Sequence, residues 1–135
     1  MSNGAPLSGG AVQGSVRGLL RLEGVVVLLA AIVLYAHVDG SWVMFAVLFL
    51  VPDVSFAGYL AGPRIGAIVY NVAHTYAGPL ILAMALLSAG MAVSVPLIWM
   101  AHIGFDRALG YGLKYPSAFA DTHLGRIGRS ASGHT

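Results

Sequence analysis

The sequence has no cysteine and very few charged side chains for a chain of 135 residues. Without cysteine there can be no disulfide, no thiolate metal site and no cysteine nucleophile. Charged residues make up only 9% of the chain, against about 25% in soluble domains. Seven basic and five acidic side chains are too few to coat a soluble globule of this size. This shortage argues against a soluble enzyme, a disordered chain and a nucleic-acid-binding module, and it predicts no nucleic-acid partner.

Long apolar stretches take the place of the missing charges. Each has roughly the 20 residues that a transmembrane helix needs, and they run over residues 22–38, 42–61, 65–88 and 91–109. The connections between them are short, so neighbouring helices should be antiparallel. The sequence therefore predicts an all-α integral membrane protein, an up-down bundle of four transmembrane helices over residues 17–112. Residues 1–16 and 130–135 are predicted to be disordered tails, and residues 113–129 to cap the bundle.

The basic residues indicate the orientation of these helices. In a four-span arrangement every Lys and Arg falls on the side that holds both termini, and neither opposite loop carries one. Cytoplasmic loops of membrane proteins carry an excess of Lys and Arg. Both termini are therefore predicted to be cytoplasmic.

Polar side chains inside the apolar stretches are concentrated in the inner half of the predicted bilayer. A charged group at that depth costs at least about 2.5–3.5 kcal/mol and is expected to face the bundle interior and pair. His102 and Asp106 are four residues apart, so they share one helix face. Asp53 follows a proline that should bend its helix, and His74 lies at similar depth. We expect these four residues to form one catalytic site that opens to the cytoplasm.

This residue set suits a divalent metal such as Zn or Fe, because imidazole and carboxylate are ligands of both. The predicted ligands are Asp53, His74, His102, Asp106 and His123, the last only if the C-terminal segment folds back. Five further residues are predicted to support the site or to bind a phosphate at headgroup depth: Tyr70, Asn71, Arg64, Arg107 and Lys114.

Several short motifs together resemble the bacterial domain of unknown function 4260 family. The residues that carry the resemblance are 52–53, 58–63, 70–76, 102–115 and 122–125, so it extends over about residues 18 to 128. The resemblance implies a small multipass protein of a bacterial cytoplasmic membrane and brings no known activity with it. A weaker similarity, through Pro52-Asp53 and Thr122-His123, is to membrane-bound metal-dependent hydrolases.

The sequence leaves several functions open. The first is a metal-dependent enzyme that acts on a membrane lipid or another amphiphile. The alternatives are a transporter, channel or proton-relay component, for which a homo-oligomer could supply the pore, and a structural accessory subunit of the membrane. Haem held between His74 and His102 is a further option, because these residues lie at similar depth on adjacent helices.

Overall fold

The computed structural model describes residues 14–38, 40–114, 121–122 and 124–126. Within this part the chain is helical, as predicted, apart from one short hairpin. The elements are α1 (Gly14–His37), α2 (Trp42–Phe49), a 3₁₀ helix (Val51–Ala61), α3 (Pro63–His74), α4 (Ala77–Ser88) and α5 (Ser94–Leu109). The strands β1 (Asp121–Thr122) and β2 (Gly125–Arg126) pair antiparallel. The first helix begins at Gly14, three residues before the predicted start of the domain.

Two helical stretches, Gly14–His37 and Trp42–Ala61, are long and apolar enough to cross a membrane. A third candidate arises if α3 and α4, which are bent by 44°, count as one span. The fifth helix has 16 residues, so the four-helix bundle stays a prediction. Large apolar side chains such as Val43 and Leu60 point outward, with exposed fractions of 74% and 94%. An apolar surface of this kind is what lipid covers in a membrane protein.

The third apolar stretch is broken where α3 meets α4. Thr75 has extended backbone angles, φ −95° and ψ 145°. Four residues later comes Pro79, whose ring clashes with the carbonyl of the fourth residue before it and which has no N–H to donate. The proline therefore accounts for a break that the sequence analysis had not placed.

The break leaves carbonyl groups at the end of α3 without helical partners, and side chains of α5 supply donors. Trp99 Nε1 donates to the carbonyl oxygen of Ala73 at 2.6 Å. Arg107 Nη2 donates to the carbonyl oxygen of His74, also at 2.6 Å. Because unpaired backbone groups in lipid cost several kcal/mol each, these bonds stabilise the broken helix. They also tie the end of α3 to α5.

Glycines mark two close helix crossings. A Cβ atom on Gly104 of α5 would lie 2.8 Å from both the Gly24 carbonyl oxygen and the Leu28 nitrogen of α1. A Cβ on Gly58 would lie 2.9 Å from Cβ of Val69, where the 3₁₀ helix packs on α3. Both crossings depend on the absence of a side chain, as in other membrane helix pairs with small residues at their interface.

The segment after α5 returns to the start of α1. Arg17 Nε donates to the carbonyl oxygen of Leu124 at 2.5 Å, and Leu124 is fully buried. Arg21 Nε donates to the carbonyl oxygen of Ala108 at 2.9 Å. At the C-terminus of α5, Gly110 has a left-handed conformation with φ 90°, which favours glycine.

Candidate metal centre

Four side chains from three elements converge on one point. Asp53 lies in the first turn of the 3₁₀ helix, His74 is the last residue of α3, and His102 and Asp106 lie one turn apart on α5. Asp53 Oδ1 is 3.5 Å from His74 Nε2 and 3.3 Å from His102 Nε2. Asp106 Oδ2 is 3.3 Å from both of these nitrogens. The two Nε2 atoms are 3.2 Å apart, and all four ligand atoms lie within 4.8 Å of one another.

Most of these separations match those of a tetrahedral metal site. Bonds of about 2.0–2.1 Å to nitrogen and oxygen place tetrahedral ligand atoms about 3.3–3.4 Å apart. Five of the six separations between the ligand atoms fall between 3.2 and 3.5 Å. The remaining one, between the two carboxylate oxygens, is at most 4.8 Å.

The same separations are longer than those of strong hydrogen bonds between imidazole and carboxylate. Charge-assisted N–H···O bonds measure about 2.7–2.9 Å, whereas the four imidazole–carboxylate distances are 3.3–3.5 Å. The buried carboxylate of Asp106, beside the half-exposed one of Asp53, also needs positive charge. The four residues could hold a divalent cation, which would offset the negative charge.

Hydrogen bonding fixes the orientation of His74. Its Nδ1 lies 2.9 Å from the carbonyl oxygen of Tyr70, and a carbonyl can only accept, so Nδ1 carries the proton. The lone pair of the neutral ring is then on Nε2, which faces the other three ligands. The Tyr70 ring stacks on the imidazole with 3.8 Å between ring centroids. In His102, by contrast, the buried Nδ1 forms no hydrogen bond with any described residue.

The cluster is closed on most sides and open beside Asp53. The side chains of His74, His102 and Asp106 have exposed fractions of 0%, 2% and 11%, whereas that of Asp53 is 42% exposed. The ring of Phe49 packs edge-on against His102 with centroids 5.1 Å apart. A ligand exchanging at this centre would therefore meet Asp53 first.

The chain matches the family model described as Domain of unknown function (DUF4260) over residues 17–127. The chain belongs to the DUF4260 family. No curated protein and no solved structure matches it. The residues of the cluster all lie within the region that matches the family model.

Of the five predicted metal ligands, this DUF4260 structure brings together four. His123 lies outside the described residues. The two imidazoles are too close together to sit on opposite faces of a porphyrin, since their Nε2 atoms are 3.2 Å apart and share two carboxylates. This spacing does not favour haem at the cluster.

The predicted supporting residues have different positions. Tyr70 contacts His74 directly, as described above. Asn71 holds the backbone of Lys114: its Nδ2 donates to the Lys114 carbonyl at 2.8 Å, and its Oδ1 accepts from the Lys114 N–H at 2.6 Å. The Lys114 side chain is buried, with Nζ 4.9 Å from the centre of the Tyr70 ring. Burial lowers the pKa of Lys114 to about 8, although the negative charge of Asp106 acts in the opposite direction.

The two arginines predicted to bind phosphate differ in exposure. Arg64 is exposed in the first turn of α3. Arg107 is buried, and besides its bond to His74 it donates from Nη1 to the carbonyl oxygen of Tyr111 at 2.9 Å. A cavity of about 200 Å³ adjoins this guanidinium. Its lining is partly polar and consists of Leu20, Glu23, Thr75, Tyr76, Arg107 and Leu113.

Sequence reasoning missed Trp99, and it assigned Arg107 to supporting the site or binding phosphate rather than to holding the end of α3. Trp99 and Arg107 precede and follow the ligands His102 and Asp106 in sequence. A signal was available, because Pro79 inside an apolar stretch frees carbonyl groups that then need donors. The sequence does not show which donors lie near enough.

Proposed function

We propose that this DUF4260 protein binds one divalent first-row metal ion within the membrane through Asp53, His74, His102 and Asp106. The observation that supports the proposal is the tetrahedral spacing of four acceptor atoms, 3.2–3.5 Å along five edges. Zn²⁺ suits this arrangement better than Fe²⁺. Zinc adopts tetrahedral sites with nitrogen and oxygen ligands, whereas non-haem iron commonly uses two histidines, one carboxylate and open positions.

The ion would serve an enzymatic reaction on a membrane lipid or another amphiphile. Catalytic zinc sites keep one position for water or substrate, and the half-exposed Asp53 is the ligand best placed to give way. A bound ion would supply Lewis acidity to a carbonyl or phosphoryl oxygen or activate a water molecule. The polar cavity beside Arg107 could receive the polar part of such a molecule.

The proposed setting is the cytoplasmic membrane of a bacterium, with four spans and both termini inside. The candidate spans of the structure and the one-sided distribution of Lys and Arg support this orientation. The cluster then lies in the inner half of the bilayer, and substrates would reach it from the cytoplasmic leaflet.

Metal analysis of the purified protein tests the proposal. Wild type expressed in metal-replete medium and purified in detergent should contain about one metal ion per chain, as expected of a preformed four-ligand site. Asp53→Asn and His74→Ala should each lose that metal while circular dichroism still reports a helical protein. His37→Ala is the matched control, because His37 is an exposed histidine at the end of α1 whose ring, among the described residues, bonds to the carbonyl of Val33.

Wild type with well under one ion per chain would contradict the proposal. The four side chains would then have to share protons, for which the 3.2 Å between the two Nε2 atoms is short enough. A proton relay or a purely structural cluster would become the better interpretation.

A further inference from the structure

An apolar cavity of about 260 Å³ lies beside the metal centre. It is partly open and is lined by residues of α2, the 3₁₀ helix, α3 and α5. Its lining residues are Leu48, Val51, Pro52, Ser55, Ala73, Val95, Ile98 and Trp99. Apart from one serine hydroxyl and the indole N–H, the walls are hydrocarbon and aromatic ring.

The cavity and the metal centre share their structural elements. Pro52 precedes the ligand Asp53, and Ala73 precedes the ligand His74. On α5 the cavity residue Trp99 lies three residues before His102, so the cavity runs along α5 away from the cluster, toward the N-terminus of that helix. A molecule in the cavity would therefore have one end near the ligands.

One polar atom in the wall has no hydrogen-bond partner among the residues that the structure describes. The hydroxyl oxygen of Ser55 is buried and forms no hydrogen bond within the described part of the chain. A buried hydroxyl without a partner costs free energy, whereas single polar groups in apolar pockets commonly orient a ligand. The other polar group, Trp99 Nε1, is already bonded to the carbonyl of Ala73 and holds the wall in place.

We propose that this cavity binds one hydrocarbon chain of an amphiphile, with the polar end of the amphiphile toward Asp53 and His74. The volume lies just below the range of about 300–1,000 Å³ that holds drug-sized ligands, which suits one chain rather than a whole two-chain lipid. As the substrate of the metal centre, this amphiphile rests on the function proposed above. Its binding in the cavity does not require the metal.

The position of the cavity also fits the orientation of a lipid in the inner leaflet. The polar cavity at Arg107 lies beyond the cluster toward the C-terminus of α5, and the apolar cavity lies before it. With α5 running inward, as predicted, the order from the cytoplasm is polar cavity, metal ligands, apolar cavity. An inner-leaflet amphiphile presents its headgroup, linkage and chain in that same order.

Tryptophan fluorescence tests the proposal, because the chain has only two tryptophans and one of them lines the cavity. In a Trp42→Phe background the emission comes from Trp99 alone. Titration with 9,10-dibromostearate in lipid nanodiscs should quench this emission with saturation at low molar ratio. Unbrominated stearate should reverse the quenching.

Two valines provide a matched pair of variants. Val95 lines the cavity, and Val95→Phe should weaken dibromostearate binding about tenfold, since small steric changes in apolar pockets have effects of that size. Val72 is 64% exposed on α3 and is not among the lining residues, so Val72→Phe should bind as the parent does. Ser55→Ala should still show saturable quenching. Its relative affinity for stearate and for a hydrocarbon without a polar end should differ from that of the parent.

Quenching that rises in proportion to the content of dibromostearate, and equally in both valine variants, would show that Trp99 reports bulk lipid. This result would overturn the proposal.

Asp53→Asn separates failure of the cavity proposal from failure of the proposed function. Saturable quenching in a metal-free Asp53→Asn protein would support the cavity independently of the metal, whereas a metal-loaded wild type without saturable quenching would refute only the cavity.

Discussion

At the residue scale, His74 makes contacts through both nitrogens of its imidazole ring and through its backbone carbonyl group. The Nδ1–H donates to Tyr70, Nε2 faces the other ligands, and the carbonyl oxygen accepts from Arg107. The position of this one ligand is thus fixed from α3 on one side and from α5 on the other. Ligand orientation by such outer contacts typically affects metal affinity strongly.

Replacement of Arg107 by methionine tests that support. The variant leaves the His74 carbonyl unpaired, so we expect the free energy of unfolding to fall by about 1–3 kcal/mol. Metal affinity, measured by competition with a chelator, should fall by about 10–100-fold. Arg64→Met is the control, because Arg64 is exposed. Equal behaviour of the two variants would show that the bond to His74 does not position the ligand.

Lys114, the only lysine of the chain, leads to a prediction about pH. Its pKa is about 8 in the folded protein and about 10.4 in an unfolded chain. Between these values the unfolded state binds more protons, so the free energy of unfolding should rise as the pH increases from 8 to 10.4. Unfolding curves of wild type and Lys114→Met in detergent should therefore converge over this range, with the variant more stable at pH 7. A constant difference would contradict the lowered pKa.

At the element scale, prolines divide the apolar stretches and glycines bring the pieces together. After Pro52 the second stretch continues as a 3₁₀ helix, and before Pro79 the third stretch is interrupted at Thr75. Each interruption lies next to a metal ligand, Asp53 or His74. Irregular backbone at membrane depth is tolerated where protein buries it, and at the end of α3 two bonds from α5 supply the missing donors.

The crossing of α1 and α5 can be tested with one added methyl group. Gly104→Ala would place Cβ 2.8 Å from backbone atoms of α1, which cannot rotate away, so the helices must separate. Overpacking of this kind typically costs about 1–3 kcal/mol. Gly18→Ala on α1 is the control, since a Cβ there meets nothing within 4 Å. A Gly104→Ala protein as stable as the Gly18→Ala protein would show that the crossing tolerates a wider spacing.

The sequence predicted the helical class and the four polar residues that converge, for a physical reason. Charge is so costly in lipid that each buried polar residue signals a partner, and the spacing of His102 and Asp106 by four residues defines a common face. It did not predict the break at Thr75, because the effect of Pro79 depends on whether α5 can supply donors. Nor did it predict that Arg107 turns inward, since an arginine near a helix end equally often reaches for headgroups.

At the scale of the whole molecule, the number of crossings depends on the bent pair α3 and α4 and on α5. The bent pair α3 and α4 is either one broken span or a re-entrant loop, and α5 is only 16 residues long. At 1.5 Å per residue, α5 covers about 24 Å of a hydrocarbon core of about 30 Å. The distribution of Lys and Arg favours four crossings.

Reporter fusions decide between these arrangements. Fusions at Gly40 and Ala89 should report an external location, and fusions at Arg64 and at the C-terminus a cytoplasmic one. A cytoplasmic signal at Ala89 would show that α3 and α4 enter and leave on the same side. An external signal at Arg64 would reverse the orientation and place the metal centre in the outer half of the bilayer.

The 3₁₀ helix also changes the length of the second apolar stretch, and this length has to match the thickness of the membrane. Its 11 residues cover about 22 Å at 2.0 Å per residue, where an α-helix would cover about 16 Å. The stretch Trp42–Ala61 is therefore longer than an α-helix of the same sequence would be. A thinner bilayer should favour rewinding of the 3₁₀ segment into the shorter α-helix. Rewinding turns each side chain about the helix axis, and Asp53 is carried on this segment. Hydrophobic mismatch between protein and lipid would therefore turn Asp53, the most exposed residue of the cluster.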